Sequence, residues 1–446
     1  MHDLPGKAGL PESEILKTRR ALPIRIKGQD GPERTDEMRI GMMTRWNVPC
    51  GVAAHAEPLG RAWVQMGHQL KVFAPLEWDM PQTQEDEPYV TRCYRLGFSK
   101  QNWEGLFLNP QPFLEDFDVF VVQNLELMPL PQLFQIFPKI REKAKTVLVI
   151  HEGKAPTDPH FYNFEWDAVV CLDERYMGYL SKIYPKEKIH IIPYVCHPIE
   201  RGDKFEARFK LDLPLDKKII LNYGLNVYLN AHYLPTVERV AQRYPLIFLV
   251  ITHVEECIRL FEALCEKYKF VQLRRGIASR ERLYTYLHAS DALIFTKPTA
   301  EAIVVSSTVF ECLGSGCPIL AYDSNFVETL SNEVLKCKDF GEMEQRLVDV
   351  FEGRENVKES LKAAEAYVMK NSSYEIGGKF IALFESLGAG VRGKTYIQKP
   401  RAKAKPKVLL QEPQVASPPV TPVKESLAGK INVLPSSDSP VEEGTL

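Results

Sequence analysis

Several classes of protein are excluded by what this chain lacks. Its 446 residues hold nine cysteines, an odd number, and no two of them form a C-x-x-C pair. Scattered thiols of this kind suit a reducing compartment, where they act as small buried hydrophobes, and they leave no basis for a disulfide scaffold or a clustered zinc site. The charge is nearly balanced, 56 Lys+Arg against 58 Asp+Glu, so no global field draws the chain to nucleic acid or to an acidic polymer. No apolar run approaches the roughly 20 residues that span a bilayer. The opening MHDLPGKAGLPESEILKTRR has no continuous apolar stretch of the secretory type. The expectation is a cytoplasmic protein without transmembrane segments and without nucleic acid as a partner. What is present is ordinary globular material, 45% hydrophobic and 26% charged, in a length that predicts two or three domains.

Texture divides the chain. Residues 1–37 are polar, carry Pro and Gly, lack apolar periodicity, and read as a disordered arm. From 388 to 410 every charge is positive (Arg392, Lys394, Lys399, Arg401, Lys403, Lys405 and Lys407), and Pro- and Ser-rich stretches follow to the end. Residues 388–446 therefore read as a disordered basic and Pro-rich tail. Its bland role is solubilising; its alternative is a weak contact with the inner face of a membrane, about 1 kcal/mol per charge. Between the arms, short apolar runs alternate with helical patterns. Strands are expected at 39–44, 69–74, 119–123, 146–151, 168–171 and 189–192, then at 218–223, 246–252, 270–273, 292–295 and 319–322. Runs such as DVFVVQ, TVLVIH and LIFLVI are apolar throughout, as strands covered on both faces of a parallel sheet are. Helices are expected at 53–66, 232–243, 255–267 and 279–289, the last with Ser279 as N-cap and Leu283, Tyr286 and Leu287 on one face.

Two such series predict an α/β chain of two doubly wound Rossmann-like domains facing across a cleft: 38–197 and 217–355, joined by a linker at 198–216 and closed by helices at 356–387. In this architecture ligands bind outside the carboxyl ends of the strands. Four strand ends carry the chemistry. After the first strand, Pro49-Cys50-Gly51 opens a helix, and Gly51 permits close approach of a ligand or of another backbone. In TVLVIHEGK, His151 and Glu152 end a buried strand; His151 suits a general base, a hydrogen-bond donor to a sugar hydroxyl, or a satisfied rim residue. In KIHIIPYVCHP, His197 is available, with packing at the interdomain turn as its plainer role. In DALIFTKPTAEAIVVSSTVFECLGSGCPILAYDS, Ser306, Ser307 and Thr308 start a helix after a strand. Hydroxyls and free N–H groups at such a start suit a diphosphate, and Glu311, one turn later on the same face, suits paired ribose hydroxyls.

Together these places resemble a glycosyltransferase of the GT-B fold, of the family 4 (retaining, nucleotide-sugar-dependent; glycosyltransferase group 1) type. The resemblance rests on Cys50-Gly51-Val52 in the glycine loop, Gly67-His68 before the second strand, His151 in VLVIHEGK and EKIHIIPYVCHP at 187–198. It continues through SRERLYTYLHASDALIF at 279–295, VFECLGSGCPILA at 309–321 and the closing helix SYEIGGKFIALFESL at 373–387. It implies metal-independent and cofactor-free sugar transfer from a nucleotide diphosphate-sugar donor to an acceptor that is a glycan, lipid or small molecule. His151 would stand beside the sugar, Glu311 would hold the ribose, the helix start at 306–308 would meet the diphosphate, and Gly51 would shape the opposite wall.

The chain departs from that pattern in two places. The family's first Glu of a pair eight apart falls on Ile303 counted back from Glu311, or near Ala300 counted forward from Asp291; Glu301 lies between and is the candidate replacement. The family's Arg and Lys after the first strand of the second domain are matched by Leu225 and Asn230. A diphosphate leaving group needs its developing charge stabilised. Lys297, a flexible point charge, is the candidate substitute, with Asn226 as a neutral donor. The losses support a second reading, a catalytically silent relative that binds a nucleotide-sugar, a glycan or a protein. A sugar-nucleotide epimerase shares the scaffold, but no carboxylate arrangement favours it. Acceptor recognition falls to first-domain loops carrying Trp78, Trp103 and Phe107.

Overall fold

A computed structural model describes residues 37–76, 82–97 and 106–390. Among these residues thirteen strands form two sheets. The first contains β1 (Arg39–Met43), β2 (Gln69–Pro75), β3 (Val90–Tyr94), β4 (Val119–Gln123), β5 (Lys145–Val149), β6 (Ala168–Cys171) and β7 (Ile189–Ile191), in the order β3-β2-β1-β4-β5-β6-β7. The second contains β8 (Lys218–Tyr223), β9 (Leu246–Thr252), β10 (Val271–Arg275), β11 (Ala292–Phe295), β12 (Ile319–Tyr322) and β13 (Leu335–Cys337), in the order β10-β9-β8-β11-β12-β13. Every strand pair is parallel. The continuously apolar runs fall inside the sheets: all five residues of β4 and all seven of β9 are buried, because helices cover both faces.

The helices are α1 (Gly51–Gln65), α2 (Leu130–Lys143), α3 (Met177–Ile183), α4 (Lys204–Lys210), α5 (Leu234–Ala241), α6 (Glu255–Lys267), α7 (Arg280–Ala289), α8 (Ser307–Cys312), α9 (Phe340–Glu352), α10 (Glu355–Asn371) and α11 (Ser373–Ser386). Ser279 caps α7, accepting from the Arg282 N–H, and Leu283, Tyr286 and Leu287 are buried below it. The helix expected from 232 begins later. A 3-10 segment, Val227–Tyr233, precedes α5, whose early Pro235 fits a helical first turn because its missing N–H is not needed there.

The strand order reverses at β1/β4 and again at β8/β11. Adjacent loops depart there in opposite directions, leaving a crevice at the carboxyl ends of each sheet. The two crevices face each other. α11 returns to the first domain, where Trp63 of α1 donates its indole N–H to the Gly377 carbonyl at 3.2 Å and packs edge-on against Phe380 and Phe384. A second clamp is Arg175, whose guanidinium pairs with Asp173 beside it and reaches the carbonyls of Val304 and Asn325 and the Glu328 carboxylate across the interface. Among the described residues no helix is long and apolar enough to cross a membrane.

Candidate functional site

The facing crevices enclose a cavity of about 130 Å³. From the first domain it is lined by Cys50, Gly51 and Glu57, and from the second by Tyr223, Gly224, Arg280, Ser307, Thr308 and Glu311. α1 starts at Gly51 because Cys50 is extended and its Sγ accepts from the Ala53 N–H at 3.4 Å. The Tyr194 hydroxyl donates to the Gly51 carbonyl at 3.0 Å, and a Cβ at position 51 would stand 3.2 Å from Ser307 Oγ. A side chain here would crowd Ser307 on the opposite wall. Across the cavity, α8 starts as the hydroxyl pattern suggests. Ser306 is buried, caps the helix through the Val309 N–H at 3.2 Å, and stays out of the cavity lining; Ser307 and Thr308 face it, with Glu311 one turn later.

The charges in this cavity are arranged as the motifs alone do not reveal. Arg280, the first residue of α7, places Nε 3.3 Å from Glu311 Oε1 and Nη2 3.6 Å from Glu57 Oε2, so one guanidinium links the two domains. Glu57 is only 6% exposed and also accepts from the Asn47 N–H at 2.8 Å and from Arg61 at 3.1 Å. Burial raises its carboxyl pKa, opposed by Arg280 and Arg61. Asn47 itself is held in a left-handed conformation, φ 53°. Behind this pair, Arg61 continues to Glu87 at 2.7 Å, and Glu87 accepts from the Trp46 indole at 2.8 Å. Sequence reasoning missed Arg280. The signal was present, since Ser279 was legible as the cap of a helix starting after a strand, which puts residue 280 at the cleft.

His151 follows β5. Its Nε2 lies 3.1 Å from Gln123 Oε1, and His55 Nδ1 lies 3.2 Å from the same oxygen. An amide oxygen only accepts, so both rings point N–H groups at it and His151 keeps Nδ1 as its acceptor. The two imidazoles meet edge to face, 5.1 Å apart. Burial depresses both: His55 to about 4, and His151 well below the usual range, where His55 and Arg45 add to the effect. The pair is neutral at physiological pH. His55 Nε2 is buried without a partner.

The remaining sequence candidates are dispersed. Glu301 is exposed and lines no cavity containing the residues above. Its loop is tied down instead by Asn325, which bonds both backbone groups of Ala300 and the Ala302 carbonyl, and by an Ile303 N–H to Gly153 carbonyl bond of 3.1 Å across the domains. Lys297 lies over the rings of Phe295 and Phe326 at 5.2 and 5.3 Å, outside the cleft lining, and burial lowers its pKa. Asn226 is exposed at the start of the 3-10 segment. Asn230 turns inward, donating to Asn222 Oδ1 at 2.6 Å and accepting from the Thr296 N–H at 3.0 Å. Its place is thus spent on tying the segment after β8 back to β8 itself and to the loop after β11. His197 packs on Tyr284 at 4.3 Å and bonds Glu200. Phe107 is exposed, while Trp78, Trp103, residues 1–36 and residues 391–446 lie outside the described residues; Ala389, placed in the tail by its sequence, is buried against the core.

No family model matches the chain. Solved structures do. HepE of Anabaena, in complex with UDP and glucose, matches with a TM-score of 0.58 at 12% identity, over 78% of this chain and 100% of that one. A sucrose-phosphate synthase from Thermosynechococcus elongatus matches at 0.56 and 14%, over 79% and 100%. The pneumococcal O-GlcNAc transferase GtfA, in complex with UDP and GlcNAc, matches at 0.56 and 10%, over 79% and 99%. The chain has the GT-B fold, two parallel α/β domains around a cleft. At these identities the likeness carries the fold alone.

Proposed function

We propose that the protein is a glycosyltransferase that moves a sugar from a nucleotide diphosphate-sugar to a glycan, lipid or small-molecule acceptor, with retention and without a metal ion or cofactor. The observation that carries this reading is the convergence of Gly51, Ser307, Thr308 and Glu311 on one interdomain cavity at both topological switch points. In this reading Glu311 takes the ribose hydroxyls, and the free N–H groups and hydroxyls at the start of α8 meet the diphosphate. Arg280 supplies the cation that Leu225 and Asn230 do not. In this reading His151, neutral, oriented by Gln123 and set behind the residues that line the cleft, is assigned to the transferred sugar. The bond from the anomeric carbon to the phosphate oxygen breaks, the acceptor oxygen bonds to that carbon on the same face, and its proton leaves with the diphosphate.

A second reading, a silent relative that binds without turnover, is favoured by one feature: Glu311 and Glu57 already occupy Arg280. Calorimetry against UDP, GDP, ADP and TDP without metal separates the two. One nucleotide is expected to bind, with loss on Glu311→Ala, and His151→Ala is expected to abolish donor hydrolysis while leaving that binding intact. Absence of binding to all four, or binding without any donor turnover, leaves the silent relative as the function.

A further inference from the structure

A second cavity, of about 240 Å³, opens in the first domain at the carboxyl ends of β4 and β5. Its walls are Leu106, Leu125, Leu127, Met128, Leu130 and Phe161, closed from the second domain by Ala302. The volume exceeds the roughly 150 Å³ of an apolar protein cavity that stays dry and takes up benzene. One half-buried carboxylate shapes it. Glu152 Oε1 accepts from the Leu125 and Glu126 N–H groups at 3.0 Å each, and Oε2 accepts from the His151 N–H at 3.1 Å.

Those bonds hold a loop in a conformation that its residues do not favour. Asn124 and Leu127 both sit at φ 65°, and Leu127 is fixed by a Gly97 N–H to Leu127 carbonyl bond of 2.8 Å. A leucine held left-handed costs of order 1–3 kcal/mol, and here it sets the half-buried Leu127 on the cavity wall beside Leu125, Met128, Leu130 and Phe161, whose other faces pack in the domain core. Glu152, on this lining, directly follows His151 in the chain, while the His151 ring turns to Gln123 and lines neither cavity. Lys154, Thr157 and Asp158 make a polar side to the same space.

We infer that this cavity receives an apolar group of the acceptor, an alkyl or aromatic aglycone larger than a benzene ring, and so restricts the acceptor to amphipathic alcohols and glycosides. This rests on the glycosyltransferase reading for the word acceptor, but the binding itself does not need a donor. The test is calorimetry of the full chain, without nucleotide, against octyl β-glucoside below its micelle concentration and against methyl β-glucoside. The octyl compound should bind at least about tenfold more tightly, given about 0.8 kcal/mol per buried methylene. Ala302→Trp and, separately, Thr157→Trp should remove the difference while keeping the melting temperature of the parent. Equal binding of the two glucosides overturns the inference. So does a preference that survives both folded variants, which would put the alkyl chain elsewhere. An octyl preference in a protein that binds none of the nucleotides defeats the transferase reading and leaves the cavity assignment standing.

Discussion

A single amide, Gln123, orients two imidazoles, and their burial gives the histidines a measurable role in stability. His55 is fully buried and its pKa is depressed to about 4, against 6.5 in an unfolded chain. A depressed histidine favours folding above pH 6.5. As pH falls from 6.5 towards 4 the unfolded chain takes up a proton that the folded one refuses, so this contribution is lost over that window. Between pH 7 and pH 5 the loss amounts to about 2 kcal/mol. His55→Asn, whose amide nitrogen can replace Nδ1 as donor to Gln123, should flatten the pH dependence of urea unfolding by that amount; an unchanged slope would show that His55 is not the group responsible. At this scale the sequence was informative about position where a residue's place follows from its own strand end or helix start. Gly51 and Glu311 were placed at the cleft in this way, whereas His151, just after β5, lies outside the cleft lining. Arg280 could be read as a position, the residue after the Ser279 cap, but not as a bridge to Glu57 of the other domain, and the inward turn of Asn230 depends on Asn222 within β8 and Thr296 after β11.

Elements were legible in proportion to their burial. β4, β6, β8, β9, β11 and β12 match the expected spans end to end, since strands covered on both faces are written as unbroken apolar runs. The two strands not foreseen, β3 with the sequence VTRCY and β13 with LKC, are both at sheet edges, where one side lacks a neighbour and polar residues are tolerated. Glycines inside helices follow the same division between packed and open. In α1, a Cβ on Gly60 would meet Trp46 Cη2 at 2.8 Å and Leu70 Cδ2 and Met42 Cε at 2.9 Å. In α11, a Cβ on Gly378 would meet nothing within 4 Å. Gly378→Ala should therefore stabilise by about 0.5–1 kcal/mol through helix propensity. Gly60→Ala has the same propensity gain but must displace three core side chains, and should be net destabilising by about 1–2 kcal/mol. Paired chemical denaturation checks both signs, and a stabilising Gly60→Ala would show that α1 is free to shift from its sheet.

At the scale of the whole molecule, what matters is the charge that the two domains bring into one cleft. Glu57 comes from the first, Arg280 and Glu311 from the second, and the three together carry a net negative charge. A nucleoside diphosphate adds more negative charge, so its binding needs Arg280 to exchange at least one carboxylate for phosphate oxygens. Glu57 is the natural one to lose its charge: burial already raises its pKa, and its Asn47 N–H bond persists in the neutral form. Protonation of Glu57, which its raised pKa favours, removes a repulsive charge and frees the guanidinium, so nucleotide affinity should rise as pH is lowered. Glu57→Gln fixes the neutral form. It should tighten UDP, or whichever nucleotide the panel selects, by about tenfold at pH 8, equivalent to about 1.4 kcal/mol, and abolish that pH dependence. Weaker binding in Glu57→Gln would mean that the carboxylate holds Arg280 in its working position, and that the bridge between the domains is part of the site rather than its competitor.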